Sequence, residues 1–210
     1  MNTTLIDSPV ANVANIARAL RATGASLDVT RDADAIARAS KLVLPGVGSF
    51  GAAMSWLIET RIDHAIRTAV ANGASLLGIC VGHQLLFDAS HEMGTTPGLG
   101  LLRGEVHRFE GPLPVPQIGW NRVSGGQAIL PVRTGKIACP PLFEGIDEGT
   151  AFYFVNSYAA RDAASEIASA EYNGRFTAAV QQGRVFGVQF HPEKSSRAGL
   201  RVLRNFVAWN

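Results

Sequence analysis

Residues 74–82 read Ala-Ser-Leu-Leu-Gly-Ile-Cys-Val-Gly, and this stretch decides the fold class. An apolar, strand-like run leads into a cysteine flanked by glycines, at the point where a helix is predicted to begin. Glycines permit the tight strand-to-helix turn that exposes a nucleophilic side chain. The free N–H groups of the next helix favour negative charge there. This context outweighs the common alternative for Cys80, a small buried hydrophobe.

Short apolar runs alternate with helix-like runs through the first half of the chain. We predict strands over residues 3–6, 26–29, 41–44 and 75–79, and helices over residues 10–22, 33–39, 50–59, 63–71 and 81–89. Such alternation is typical of parallel strands joined by crossover helices.

The second half of the chain has the pattern of antiparallel strands. We predict strands over residues 104–109, 152–159, 166–172, 176–181 and 185–190, hairpin turns at 173–174 and 182–183, and a closing helix over 199–209. The whole chain, residues 1–210, is therefore expected to form one three-layer α/β domain with a mixed, largely parallel central sheet. Its ligand site should lie at the carboxyl ends of the parallel strands.

The charge balance narrows the classes of partner. The 210 residues carry 19 basic and 17 acidic side chains, a net charge of +2, which indicates neither a nucleic-acid nor a membrane surface. No apolar stretch approaches the roughly 20 residues that cross a bilayer. The start of the chain has no signal-like pattern, and only Cys80 and Cys139 are present, so we expect a reduced, cytoplasmic protein.

A histidine and a carboxylate stand two residues apart near the end of the chain, in Gly-Val-Gln-Phe-His-Pro-Glu-Lys at 187–194. On an extended strand end, residues i and i+2 point the same way, so His191 and Glu193 are both expected to face Cys80. His191 would be the base and Glu193 would orient it. The remaining histidines are expected to be surface or packing residues: His64, His83, His91 and His107. We expect no metal or cofactor, because Cys80 and His191 lack the close ligand pairs of zinc motifs.

Oxyanion stabilisation is predicted from two backbone positions. The N–H of Val81 follows the cysteine directly. Pro45-Gly46-Val47-Gly48 ends a neighbouring predicted strand and is either a plain turn or a flexible strip whose N–H groups face a reacting carbonyl. We interpret the aromatic segments 119–121 and 152–158 as segments that pack in the core and have one edge exposed to water.

Together, the elbow at 78–82 and Phe-His-Pro-Glu at 190–193 resemble the class I (triad) glutamine amidotransferases. Within that family, five segments resemble the glutaminase subunits of imidazole glycerol phosphate synthases, enzymes of histidine biosynthesis: 44–50, 82–87, 116–121, 153–158 and 187–195. The resemblance implies the flavodoxin-like fold of that family. It also implies hydrolysis of glutamine to glutamate and ammonia by a triad of Cys80, His191 and Glu193, through a glutamyl thioester. Within the strip 45–48, the resemblance implies that the oxyanion donor is Val47.

The same resemblance implies binding residues and a partner. The glutamine would be held by Gly46, Gly48, Gln84, Glu92, Ser157 and Tyr158. Ammonia would pass to a (β/α)₈-barrel cyclase, in a heterodimer that makes imidazole glycerol phosphate and an aminoimidazole carboxamide ribonucleotide. Four residues match positions that lie toward that partner: Asn12, Asn15, Trp120 and Lys194.

Three positions depart from the family pattern. Residues 7–12 read Asp-Ser-Pro-Val-Ala-Asn where the family usually has Asp-Tyr-Gly-x-Gly-Asn, His83 replaces a common methionine, and Asn156 replaces a common histidine. Three alternatives therefore stay open: a paralogue that supplies ammonia to a different synthase, such as one that makes a cell-surface sugar, a non-catalytic relative, and a different cysteine hydrolase or redox-sensing protein.

Overall fold

The computed structural model describes residues 2–9, 11–125 and 141–209. Thirteen strands are present among these residues: β1 (Asn2–Ile6), β2 (Ser26–Thr30), β3 (Lys41–Gly46), β4 (Ser75–Cys80), β5 (Ala89–Ser90), β6 (Thr96–Pro97), β7 (Glu105–Arg108), β8 (Gln117–Arg122), β9 (Ala151–Asn156), β10 (Tyr158–Ala160), β11 (Glu166–Glu171), β12 (Arg175–Gln182) and β13 (Val185–Val188). The α-helices of the same residues are α1 (Val13–Ala22), α2 (Ala33–Ala37), α3 (Phe50–Glu59), α4 (Ile62–Ala71), α5 (Val81–Gln84) and α6 (Ser196–Ala208). Two 3₁₀ turns occupy Pro141–Phe143 and Pro192–Lys194.

The central sheet has seven strands in the order β11-β12-β13-β4-β3-β1-β2. The five strands from β13 to β2 run parallel, whereas β12 and β11 continue the sheet antiparallel. Helices α2, α3 and α4 pack together, and α1 packs with α6. Every residue of β3, β4 and β13 is buried, as expected when helices cover both faces of a parallel sheet. The predicted α/β fold with a mixed, largely parallel sheet is confirmed.

Local sequence sets the starts of the first two helices. The Asn12 side chain accepts the N–H of Asn15 at 3.3 Å, so α1 begins at Val13 rather than at residue 10. Asp32 accepts the N–H of Asp34 at 2.9 Å and starts α2, which ends at Ala37, two residues before its predicted end. None of the helices in the described part of the chain is long and apolar enough to cross a membrane.

The predicted helix over residues 81–89 is wrong beyond Gln84. The carbonyls of residues 85–88 accept hydrogen bonds from the N–H groups of residues 98–102, at 2.7–3.0 Å. These long-range bonds replace the i to i+4 bonds that a continuing helix would need. The helix is therefore one turn long, and Ala89–Ser90 joins a four-stranded sheet in the order β10-β7-β5-β6.

The predicted strand over residues 152–159 is two strands. β9 pairs antiparallel with β8, while β10 pairs antiparallel with β7 in the other small sheet. The chain changes partner at Ser157, whose carbonyl accepts the N–H of Phe109 at 2.9 Å. This break turns Ser157 and Tyr158 toward the end of β4.

The strand-to-helix turn at Cys80 depends on a close approach of three backbone segments. A Cβ placed on Gly82 would collide with the carbonyl oxygen of Leu44 in β3. A Cβ on Gly78 would lie 2.5 Å from the carbonyl oxygen of Gly82. Only glycine fits at either position without a shift of backbone, so the two glycines let α5 start directly against the strand ends.

We predict opposite effects for two Gly→Ala substitutions. Gly82→Ala should lower the free energy of unfolding by about 1–3 kcal/mol, because the added methyl displaces backbone. Gly51→Ala in α3 is the matched control, since a Cβ there would lie 3.8 Å from Thr96 Oγ1, an ordinary van der Waals contact. The control should be neutral or stabilising, by up to about 1 kcal/mol, because alanine favours the helix. Denaturant unfolding of both variants measures the difference, and equal effects would contradict the packing described.

Candidate active site

A cavity of about 430 Å³ opens at the carboxyl ends of β3 and β4. This is the edge of the sheet where parallel strands of α/β proteins present ligand sites. The cavity brings together residues from both halves of the chain: Val47, Gly48, Cys80, Val81, Gln84, Glu92, Pro116, Val155, Asn156, Ser157, Tyr158, His191 and Lys194.

Cys80 is the last residue of β4 and takes φ 55° and ψ −112°, a conformation that side-chain-bearing residues rarely adopt. Holding such a residue costs about 1–3 kcal/mol, which the surrounding structure must offset. The side chain is nearly buried, but it lines the cavity. Its Sγ lies 3.8 Å from the carbonyl oxygen of Val155 and 3.9 Å from Nε2 of Gln189. The turn therefore presents the sulfur as a nucleophile elbow does.

His191 lies beside Cys80 and is held by its backbone as well as by its side chain. Its N–H donates to Tyr153 O at 2.9 Å, and its carbonyl accepts the Ser195 hydroxyl at 2.6 Å. The ring lies close enough to Cys80 for that residue to raise its pKa, and Nδ1 lies 2.9 Å from Glu193 Oε1. The ring is thus fixed between a sulfur and a carboxylate.

The expectation that Glu193 faces Cys80 directly is wrong. Strand β13 ends at Val188, and Glu193 belongs to the 3₁₀ turn Pro192–Lys194 rather than to an extended strand end. The turn places the Glu193 carboxylate against Nδ1 of His191. The imidazole ring therefore interacts with both Cys80 and Glu193. The arrangement still matches a nucleophile, a base and an orienting group in series.

The pKa of His191 reflects the balance of burial against its interactions with Cys80 and Glu193. Burial lowers the pKa, but the hydrogen bonds and charges of Cys80 and then Glu193 outweigh it and raise the pKa to about 10. A protonated imidazole is therefore favoured near neutral pH. This is the state expected when the sulfur has passed its proton to the ring.

Both residues predicted to supply oxyanion donors, Val47 and Val81, lie at the cavity. Val47, Gly48 and Val81 line the cavity, and Gly48 takes φ +87°, which favours glycine. Gly46 is not among the lining residues. A Cβ there would lie 2.7 Å from the N of Gly82, so Gly46 serves the close packing of β3 against the elbow.

The other residues expected to hold glutamine line the rest of the cavity: Gln84, Glu92, Ser157 and Tyr158. Gln84 Nε2 donates to Tyr158 O at 2.8 Å, which ties α5 to the chain after β9. Glu92 Oε2 accepts the N–H of Phe50 at 2.6 Å and so fixes the start of α3 beside the Val47–Gly48 strip. Ser157 and Tyr158 line the same cavity. A glutamine-sized ligand would therefore meet polar groups from four separate segments.

The structure accommodates the unusual residues near the site. His83 is fully buried behind the elbow, in edge-to-face contact with Phe87 at 5.2 Å, and burial lowers its pKa to about 3. It fits because Gly187 opposite has no side chain, since a Cβ there would collide with His83 Nδ1. Asn156 lines the cavity and donates to Tyr158 O at 3.0 Å.

Sequence reasoning missed two buried polar residues that support the site. Gln189 Oε1 accepts from Gln84 Nε2 at 2.9 Å while its own Nε2 approaches the sulfur of Cys80. Ser195 accepts the N–H of Tyr153 at 2.9 Å and donates to His191 O. The signal for Gln189 was a polar side chain at the end of the otherwise apolar run 185–190.

The residues expected to face a partner lie at the surface or at the cavity. Trp120 in β8 is 56% exposed, and Ile118, which points the same way two residues earlier, is 64% exposed. Lys194 lines the cavity and places Nζ 5.7 Å from the ring centre of Tyr153. Asn12 and Asn15 meet each other at the exposed start of α1.

Comparison with known proteins finds a family model and relatives that match nearly the whole chain. The family model for glutamine amidotransferase class-I matches residues 4–209. The imidazole glycerol phosphate synthase subunit HisH of Geobacillus thermodenitrificans is 43% identical over 97% of this chain and 93% of that relative. The HisH subunit of Thermococcus kodakarensis is 45% identical over 96% of this chain and 97% of that relative.

Solved structures agree on the fold. A glutamine amidotransferase crystal structure covers 98% of this chain and 97% of its own with a TM-score of 0.73 at 20% identity. The structure of PurLQS from Thermotoga maritima gives a TM-score of 0.72 at 18% identity, covering 98% of each chain. From the family match and these near-full-length relatives, we conclude that the chain belongs to the class-I glutamine amidotransferase family.

Proposed function

We propose that this chain is the glutaminase subunit of an imidazole glycerol phosphate synthase, which releases ammonia from glutamine for a partner cyclase. The observation that carries the proposal is the series Cys80–His191–Glu193 at the wall of a cavity large enough for an amino acid. The relatives named as subunits of that synthase support the choice of pathway.

The proposed reaction has two halves, the formation of a glutamyl thioester on Cys80 and its hydrolysis, and His191 transfers a proton in both. Cys80 Sγ, having given its proton to His191, attacks the amide carbon of glutamine. The oxygen of the tetrahedral intermediate would be stabilised by the N–H groups of Val81 and Val47. His191 then protonates the departing ammonia, leaving a glutamyl thioester. Water attacks the thioester carbon with His191 taking its proton, the C–S bond breaks, and glutamate leaves while Cys80 is regenerated as the thiolate beside the protonated ring.

Glu193 acts on this cycle through His191. Its carboxylate holds Nδ1, so that Nε2 is left to exchange the proton with the sulfur and the leaving group. It also stabilises the imidazolium that exists before ammonia departs. Gln84, Glu92, Ser157 and Tyr158, with the Gly48 backbone, would hold the substrate's other polar groups at the cavity wall. The role of Gly46 in glutamine binding stays a prediction.

The proposed partner surface lies beside the cavity. Trp120 and Ile118 form an exposed apolar pair on β8, and the ring of Tyr153 lies 6.1 Å from that of Trp120 and 5.7 Å from Lys194 Nζ. Tryptophan is a common energetic anchor of interfaces. We propose that a (β/α)₈-barrel cyclase covers this pair in a cytoplasmic heterodimer and receives the ammonia. The products would be imidazole glycerol phosphate and an aminoimidazole carboxamide ribonucleotide. A paralogue that serves a different synthase is the second candidate, favoured by the divergent residues 7–12.

Replacing the nucleophile should separate catalysis from partner binding. Cys80→Ala is expected to lower ammonia release from glutamine by on the order of 10⁴-fold or more, because no other group can form the thioester. Partner affinity should not change. Cys139→Ala is the control and should keep full activity. Glutamine turnover by Cys80→Ala at the normal rate would overturn the proposed chemistry.

The charge on Glu193 should set the alkaline limit of activity. His191 acts as an imidazolium, so activity falls as pH rises through its raised pKa of about 10. Glu193→Gln removes one cause of the raised pKa, and kcat/KM should then decline at a pH lower by about one unit or more. Rates measured from pH 6 to 10.5 test this. An unshifted alkaline limb would mean that Glu193 does not control the charge of His191.

The exposed tryptophan should matter for assembly with the cyclase. Trp120→Ala is expected to weaken binding of the cyclase subunit encoded by the same genome by tenfold or more, the loss typical of an aromatic anchor. Ile58→Ala, at an apolar side chain 58% exposed on α3, is the control and should bind normally. Calorimetry of the purified subunits measures both affinities. Absence of any complex for the unaltered chain would favour the paralogue.

A further inference from the structure

The small four-stranded sheet brings two histidines and a glutamate together away from the cavity. Glu105 and His107 stand two residues apart on β7 and therefore share one face of the strand. Strand β5 runs parallel to β7, with Ala89 paired with Glu105 and Ser90 with Val106. Continuing this register places His91 beside His107, and the N–H of His91 donates to Val106 O at 2.9 Å. The backbone pairing therefore fixes the three positions.

The side chains converge on one point. His91 Nε2 lies 2.7 Å from Glu105 Oε2, and His107 Nε2 lies 3.7 Å from the same oxygen. The two imidazole rings stack with centroids 4.6 Å apart and an angle of 16° between their planes. One donor atom from each residue lies within 4.8 Å of the other two. Four donors around Zn²⁺ lie roughly 3.3 Å apart, so the two rings would turn out of their stacked arrangement to bind one ion together.

The hydroxyl group of Thr95 can hold the imidazole ring of His91 in an orientation that allows metal binding. Thr95 Oγ1 lies 3.2 Å from His91 Nδ1 and can accept the Nδ1–H. That hydrogen bond leaves the lone pair of Nε2 free on the side of Glu105 and His107. Metal-bound histidines usually have their other ring nitrogen held in this way. The three side chains are 36 to 50% exposed, so an ion can reach them from solvent.

We propose that His91, Glu105 and His107 form a surface binding site for a divalent transition-metal ion of the Zn²⁺ class. Two imidazoles and one carboxylate are a donor set that Zn²⁺ accepts, with water as the fourth ligand. Mg²⁺ is excluded because it prefers an octahedron of oxygens. The lone pair of His91 Nε2 would then point at the ion, and any proton lying between Nε2 and Glu105 Oε2 would be released to solvent on binding. His91 and His107 are then more than the surface residues that their isolated positions in the sequence indicate.

The site stands apart from the glutaminase chemistry. Among the described residues, these three are the one group of histidine, cysteine and acidic side chains placed to share an ion. None of the three lines the cavity at Cys80. A bound ion would join β5 to β7 through side chains, one residue before Glu92. The proposal is therefore independent of the reaction and of the identity of the synthase.

Calorimetric titration with Zn²⁺ tests the site. The full chain carrying Cys80→Ser and Cys139→Ser is the parent, so that thiols cannot bind the ion. The parent should bind one Zn²⁺, and its thermal unfolding midpoint should rise with excess Zn²⁺. His107→Ala and Glu105→Gln, each added to the parent, should weaken binding tenfold or more. His64→Ala, at an exposed histidine on α4, is the control and should match the parent.

The possible outcomes are distinct. One-to-one binding that is lost in both variants but kept in His64→Ala supports the site, as does the absence of heat with Mg²⁺. Unchanged Zn²⁺ affinity in His107→Ala and Glu105→Gln overturns it, and so does the absence of Zn²⁺ binding by the parent. Because Glu105→Gln keeps the shape of the side chain, a loss in that variant cannot be ascribed to misfolding of a truncated strand. Midpoints measured without metal check that each variant is folded.

Discussion

The structure depends on the close approach of the turn after β4 to the end of β3. Gly82 packs against the backbone of Leu44 so tightly that a methyl group would not fit, and Cys80 in the same turn takes a positive φ. The hydrogen-bonded sheet on both sides and the buried core hold the strained turn in place, at a cost of about 1–3 kcal/mol. This constraint directs the sulfur of Cys80 from the end of β4 into the cavity.

The remaining parts of the site are arranged around that sulfur by the sheet and its extensions. Strand β13 pairs with β4 and delivers Gln189 and His191, while the small β8–β9 sheet supplies Val155 and Asn156 from the opposite wall. Ser195 and Tyr153 fix the backbone of His191, so its ring does not depend on the carboxylate alone for position. Glu193 then affects the charge of the ring more than its place.

The sequence predicts those features that rest on local patterns. The parallel half follows from alternating apolar and amphipathic runs, and Cys80, His191 and Glu193 stand out because glycine and proline surround them. Long-range contacts decide the rest. Helix α5 ends early because residues 98–102 take its carbonyl bonds, and Ser157 divides a predicted strand because its two halves pair with different partners. Gln189 could not be assigned, because its approach to sulfur exists only after β13 pairs with β4. Cys139 and Val10, the predicted first residue of the first helix, lie outside the described residues.

The central claim is that the elbow makes Cys80 a nucleophile for the side-chain amide of glutamine. Incubation with a glutamine-mimicking diazo-ketone amino acid, followed by peptide mass spectrometry, tests it most directly. The account predicts one covalent adduct, on Cys80, whose formation is slowed by added glutamine and abolished by His191→Ala. Modification of Cys139 instead, or labelling of Cys80 at the same rate with or without glutamine, would contradict it.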